Sequence, residues 1–154
     1  MISAIALDLG TTSIKAGLLD QAGMLSSIVA LPAPHISVNS GRYESDALAY
    51  AETAEQVLGA CLAQAGSSPP LGLCSQRSSF LVWEKASGQP VTPLISWQDN
   101  RGAASCEALQ ASEKLIRDFT GLRPVHRLRI LHRVEIRSQP RMRSRHREAQ
   151  CRCL

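Results

Sequence analysis

Long apolar runs are missing from this chain. None approaches the ~18 residues that a membrane-crossing helix needs. The first apolar stretch is interrupted at Asp8 and has no basic segment ahead of it, so neither a membrane span nor a secretion leader is expected. Aromatic residues are scarce at 4%, but hydrophobic residues at 44% and charged residues at 19% are ordinary for a globular protein. That balance excludes a fibre or wholesale disorder. The five cysteines, Cys61, Cys74, Cys106, Cys151 and Cys153, are odd in number and lack framework spacing. Free thiols in a cytoplasmic chain are the expectation. Cys151 and Cys153, with His146 nearby, lack both the C-x-x-C spacing and a second pair, which argues against zinc. At 154 residues the chain has room for one ordinary domain or for one piece of a larger fold.

Charge is present but unevenly spread. Residues 1–122 hold 7 Lys+Arg against 11 Asp+Glu, and residues 123–154 hold 10 against 2, so the net charges are −4 and +8. The tail contains no lysine and no aspartate, yet it carries three of the four histidines. A boundary is expected at 122/123.

Ile2–Leu9 reads as a buried central strand, broken by Gly10. Residues 13–20 and 24–31 read as two further strands joined by hairpin chemistry at Gln21-Ala22-Gly23. A polar loop from Pro32 to Ser45 leads to a helix, because Ala47, Leu48, Ala51, Ala54, Val57, Leu58, Cys61 and Leu62 recur at three- and four-residue spacing. Ser45 or Asp46 can cap its start, and Gly66 with Pro69-Pro70 ends it. Residues 71–75 read as a buried strand, and 79–84 with 91–97 as a hairpin turning at Gly88. One helix or two short ones run from Asn100 to about Phe119 and stop at Gly121.

Two clusters carry chemistry. The first is DLGTTSIK, residues 8–15. A glycine-opened turn between strands aims successive N–H groups into one concavity, and threonine and serine hydroxyls add donors around it. Such a cradle suits phosphate oxygens, while Asp8 at the strand end can hold the water shell of Mg²⁺. A hairpin turn capped by Asp and Thr is the plainer alternative. The second cluster is Ser75-Gln76-Arg77-Ser78 with Trp97-Gln98-Asp99-Asn100-Arg101. Parallel sheets bind ligands beyond their carboxyl ends, and Gln76 and Arg77 could fork onto sugar hydroxyls while Trp97 covers a C–H face. Equally, Trp97 could be core, and Asp99 could pair with Arg101 or Arg77.

IALDLGTTSIKAGLLD followed by GLCSQRSSFLVWEKASGQPVTPLISWQDNRGA resembles the N-terminal half-domain of the FGGY carbohydrate kinases, which include glycerol kinase, xylulokinase and gluconokinase. The first segment is shared with the wider actin-like ATPase superfamily. The second is more specific, and Leu115-Ile116-Arg117 and Thr120-Gly121-Leu122 also fit, so the likeness covers residues 1 to about 122. It implies a ribonuclease-H-like α/β fold, a mixed sheet with helices, here as an incomplete first domain. It also implies ATP and Mg²⁺: Asp8 would hold the metal through water, and Gly10, Thr11, Thr12, Ser13 and Lys15 would face the phosphates. Gln76, Arg77, Ser78, Trp97 and Asp99 would line or support the sugar or polyol site. In glycerol kinase the position of Ser78 carries an acidic residue that holds substrate hydroxyls, so the serine here argues against glycerol.

Family members are roughly three times longer, and the base that takes the substrate proton comes later in their first domain. The chain is therefore expected to be the N-terminal fragment of an ATP-dependent carbohydrate kinase, inactive alone, or to assemble with a separately encoded remainder. Its sheet should keep an unpaired edge and an uncovered apolar face. Three readings of the Arg-rich tail stand side by side: a nucleic-acid arm, an amphipathic segment through Leu128, Leu131 and Val134, and an out-of-frame translation of a GC-rich gene. The alternative function is accordingly a nucleic-acid-binding protein that uses residues 123–154.

Overall fold

The computed structural model describes residues 1–121 and the backbone of Ala149–Cys153. It divides into two compact units: Met1–His35 with Asp46–Arg77, and Ile36–Ser45 with Ser78–Leu154.

In the first unit, β1 (Ile2–Leu9) alternates. Ile5, Leu7 and Leu9 are buried, and Ala4, Ala6 and Asp8 take the other face. β2 (Ser13–Asp20) pairs antiparallel to it with Leu9 opposite Ile14, so the buried Ile14, Ala16 and Leu18 extend the same apolar face. β3 (Leu25–Pro32) follows the expected hairpin. There Gly23 takes a φ of +82°, and the Asp20 carboxylate accepts hydrogen bonds from the Ala22 and Met24 N–H groups. Helix α1 (Ala47–Ala65) packs on β1, β2 and β3 through the buried Tyr50, Val57 and Cys61. Of the two expected caps, Asp46 serves: its Oδ1 accepts from the Leu48 and Ala49 N–H groups at 2.8 and 3.0 Å. That cap contributes about 1 kcal/mol. Gly66, at a φ of +64°, ends the helix.

β6 (Leu71–Ser75) runs parallel to β1 at the edge of a sheet ordered β3-β2-β1-β6. The strand forms as expected, but it is not buried. Leu71 and Leu73 are 49% and 61% exposed, because α1 lies over β1 to β3 and leaves this edge open. Among the described residues no strand pairs with the outer edge of β6, and Leu71 and Leu73 stay uncovered there.

The second unit begins inside the stretch expected to be a loop. β4 (Ser37–Asn39) and β5 (Arg42–Ser45) form a hairpin around Ser40 and Gly41, at φ +48° and +82°. Two consecutive left-handed residues make the turn that matches strand twist. Strands of three and four mostly polar residues are too short to display alternation, which hid them in the sequence. β7 (Phe80–Glu84) and β8 (Leu94–Ile95) follow, with the Gly88 N–H donating to the Glu84 carbonyl at the expected turn. The second arm, expected over 91–97, shrinks to two residues because Pro90 and Pro93 have no N–H to give. Thr92 also ties the arm to β7, accepting the Val82 N–H on its hydroxyl at 3.0 Å.

Of the two options for residues 100–119, two short helices form. They are α2 (Ala103–Leu109) and α3 (Glu113–Thr120), separated by a 3₁₀ turn and closed by Gly121 at a φ of +71°. The backbone of β9 (Ala149–Cys153) pairs antiparallel with β7 in a sheet ordered β4-β5-β8-β7-β9. The expected boundary at 122/123 and the three readings of the tail otherwise lie outside the described residues. Among the described residues no helix is long and apolar enough to cross a membrane.

Candidate functional site

The polar end of the first sheet gathers the first cluster. Asp8 is the penultimate residue of β1, directly across from Lys15 on β2 and beside Cys74 on β6. Gly10 is required by sterics: a Cβ there would stand 2.6 Å from the Ser13 carbonyl oxygen and 3.8 Å from Asp8 Oδ2. Any side chain at Gly10 would force the turn open. The Thr12 carbonyl accepts the Ala33 N–H at 3.0 Å, which ties the turn to the chain leaving β3.

Among the described residues the Asp8 carboxylate accepts one hydrogen bond, from the Cys74 thiol at 3.5 Å. Desolvation, then the hydrogen bond to Asp8 and its charge, push the Cys74 thiol above its ordinary pKa. The thiol therefore stays a neutral donor, and most of the carboxylate's accepting capacity remains unspent. Lys15 is exposed. Among the described residues no group of three His, Cys, Asp or Glu side chains is assembled to hold a bare metal ion, so Asp8 can act on a cation only with help from water or ligand oxygens.

Gln76 joins this turn. Its Oε1 accepts the Thr11 hydroxyl proton at 2.8 Å, its Nε2 donates to the Tyr50 hydroxyl at 3.3 Å, and its backbone N–H donates to the Leu9 carbonyl at 3.0 Å. Tyr50 in turn donates to the Gly10 carbonyl at 2.9 Å. Burial, with the Asp8 charge adding to it and the bond from Gln76 opposing, pushes the Tyr50 pKa up to about 12. Tyr50 was not among the site residues expected from the sequence. A signal was available, since it is the one aromatic residue on the buried face of α1.

The other expected substrate residues divide between the units. Arg77 is exposed at the end of the first unit. Ser78 opens the second in a left-handed backbone, at a φ of +68°. Trp97 is half-buried and its backbone N–H donates to the buried Ser79 hydroxyl at 2.9 Å. Asp99 takes the structural option weighed from sequence. It receives the Arg101 Nε at 2.8 and 3.0 Å, the Arg101 Nη2 at 2.6 Å, and the N–H groups of Tyr43 at 3.0 Å and Arg101 at 3.2 Å. Glu44, which the sequence did not single out, also grips Arg101 Nη2. Burial works against the Arg101 charge, but its hydrogen bonds to Asp99 and then to Glu44 outweigh it and raise its pKa.

The model of the FGGY family of carbohydrate kinases, N-terminal domain, matches residues 3–132. The chain belongs to this family. The FGGY chain is 37% identical over 122 residues to the apulose kinase of Pectobacterium atrosepticum, covering 77% of this chain and 25% of that protein. Glycerol kinase of Azotobacter vinelandii is 36% identical over 124 residues, again covering 77% and 25%. The chain thus spans about a quarter of the length of the curated relatives it matches. Among solved structures, Plasmodium falciparum glycerol kinase with ADP superposes with a TM-score of 0.82 at 18% identity, covering 97% of this chain and 32% of that one. Xylulose kinase from Rhodospirillum rubrum gives 0.78 at 23% identity, covering 90% and 30%. These likenesses bear out the expected α/β fold with its mixed sheet and helices.

Proposed function

We propose that this chain supplies the magnesium- and phosphate-binding portion of an ATP-dependent carbohydrate kinase, which transfers a phosphoryl group to a hydroxyl of a sugar or polyol. The observation that carries the reading is the Gly10 turn, packed so closely that no Cβ fits, with the scarcely engaged Asp8 carboxylate beside it. The donor set suits a metal-bound phosphate. Gly10, Thr11, Thr12 and Ser13 provide backbone N–H groups, and Lys15 provides a cation; Asp8 holds magnesium through its water shell. Magnesium, when bound, neutralises phosphate charge. Family membership and the ADP in the Plasmodium relative support the assignment to nucleotide.

Of the residues expected at the sugar, Arg77, Ser78 and Trp97 remain the candidates for contact. Asp99 serves by holding the loop that carries Trp97. Serine at position 78 favours a substrate other than glycerol. The Asp8 charge acts on both Tyr50 and Cys74, and the chain spans about a quarter of the length of its curated relatives. The 154-residue polypeptide is therefore expected to bind MgADP weakly and to turn over no sugar.

Titrating MgADP into the ¹⁵N-labelled chain tests this. Shifts should concentrate at residues 8–15 and disappear without magnesium or in Asp8→Asn. Shifts elsewhere, or robust phosphorylation of a pentose, hexonate or polyol by this polypeptide, would count against the reading.

A further inference from the structure

We propose that Tyr50 and Gln76 are positioning residues for the phosphate turn, and that Gln76 therefore works on the nucleotide side of the reaction instead of touching the sugar. The inference rests on the reading of the turn as a nucleotide site and adds to it a device that sets the direction of its donors.

Tyr50, 6% exposed on α1, gives its hydroxyl proton to the Gly10 carbonyl at 2.9 Å. A trans peptide holds its C=O and N–H in opposite directions. The carbonyl of Gly10 and the N–H of Thr11 belong to the same peptide. Drawing the carbonyl towards α1 thus aims the Thr11 N–H away from the helix, to the side where a phosphate would be received. Gln76 completes the brace from just beyond the end of β6. Its Nε2 donates to Tyr50 at 3.3 Å, so the phenol oxygen is engaged both as donor and as acceptor. Its Oε1 takes the Thr11 hydroxyl proton at 2.8 Å. That proton is spent, so the Thr11 side chain cannot also donate it to phosphate, and the exposed Thr12 hydroxyl is left to do so. Both ends of the Gln76 amide are engaged within this ring, which holds the side chain against the turn.

The test uses the whole 154-residue chain with MgADP as probe. Tyr50→Phe should raise amide exchange at Thr11 and Thr12, relative to β2 amides, and weaken MgADP binding, each roughly tenfold. Gln76→Met, which keeps length but removes both polar ends, should do the same. It supplies both readouts if Tyr50→Phe does not fold. Val57→Ala, at a fully buried position on the same helix, should lower stability without either effect, which separates positioning from general support. If Gln76→Met folds and leaves turn exchange and MgADP affinity within about twofold of the original, the proposal is overturned. If the original chain ignores MgADP while the exchange effect persists, the nucleotide reading fails and the brace stands.

Discussion

Replacing Asp99 with alanine should destabilise the second unit severely, and the size follows from what that carboxylate holds. It receives two backbone N–H groups, from Tyr43 on β5 and from Arg101, and two guanidinium nitrogens. The Asp99 and Arg101 side chains are 11% and 10% exposed, so water replaces little of what is lost. Breaking a buried pair by removing one partner costs about 3–5 kcal/mol. Glu44, 24% exposed, still grips Arg101 and limits the damage, while the Tyr43 N–H loses its acceptor at a cost of about 1 kcal/mol. These effects overlap, so about 4 kcal/mol is expected, a large part of the ~5–15 kcal/mol that stabilises a typical domain. Urea denaturation followed by tryptophan fluorescence suits the measurement, because Trp83 and Trp97 are the only tryptophans and both lie in the second unit. Glu44→Ala should cost only about 1 kcal/mol. A loss below about 1 kcal/mol for Asp99→Ala would refute the view that this carboxylate is structural and return it to the sugar-contacting candidates.

At the turn, Gly10→Ala should cost about 1–3 kcal/mol in thermal unfolding, since the new methyl meets a backbone carbonyl that cannot rotate away, and it should also weaken MgADP binding; an unchanged affinity would mean the turn is looser than its geometry implies. Alkaline pH gives a signed test. The Tyr50 pKa is raised from 10.0 to about 12 in the folded chain, so its contribution is fully present below pH 10 and is lost as pH rises towards 12. That loss amounts to about 2 kcal/mol. The difference in stability between the original chain and Tyr50→Phe should narrow over that interval; a constant difference would contradict the assigned environment.

Much of the fold was legible because its signals are local. Gly23, Gly66, Gly88 and Gly121 each adopt the positive φ that a turn or helix end demands, and Asp46 caps α1 through bonds only two and three residues along the chain. The β4–β5 hairpin escaped notice and the arm expected over 91–97 came out shorter, for equally physical reasons: a strand of three residues shows no period, and prolines thin a strand without erasing its apolar appearance.

By itself the sequence determined where the chain turns, which end of β1 carries a carboxylate, and the family to which the motifs belong, because backbone preference and residue order act over a few positions. Only the tertiary structure decided that Tyr50 holds Gly10 from 40 residues away, that Gln76 meets Thr11 across 65, and that Glu44 shares Arg101 across 57. The partnerships around Gly10 and Thr11 depend on how α1 and β6 settle against β1 and β2, and no local pattern encodes the register of one packed element on another.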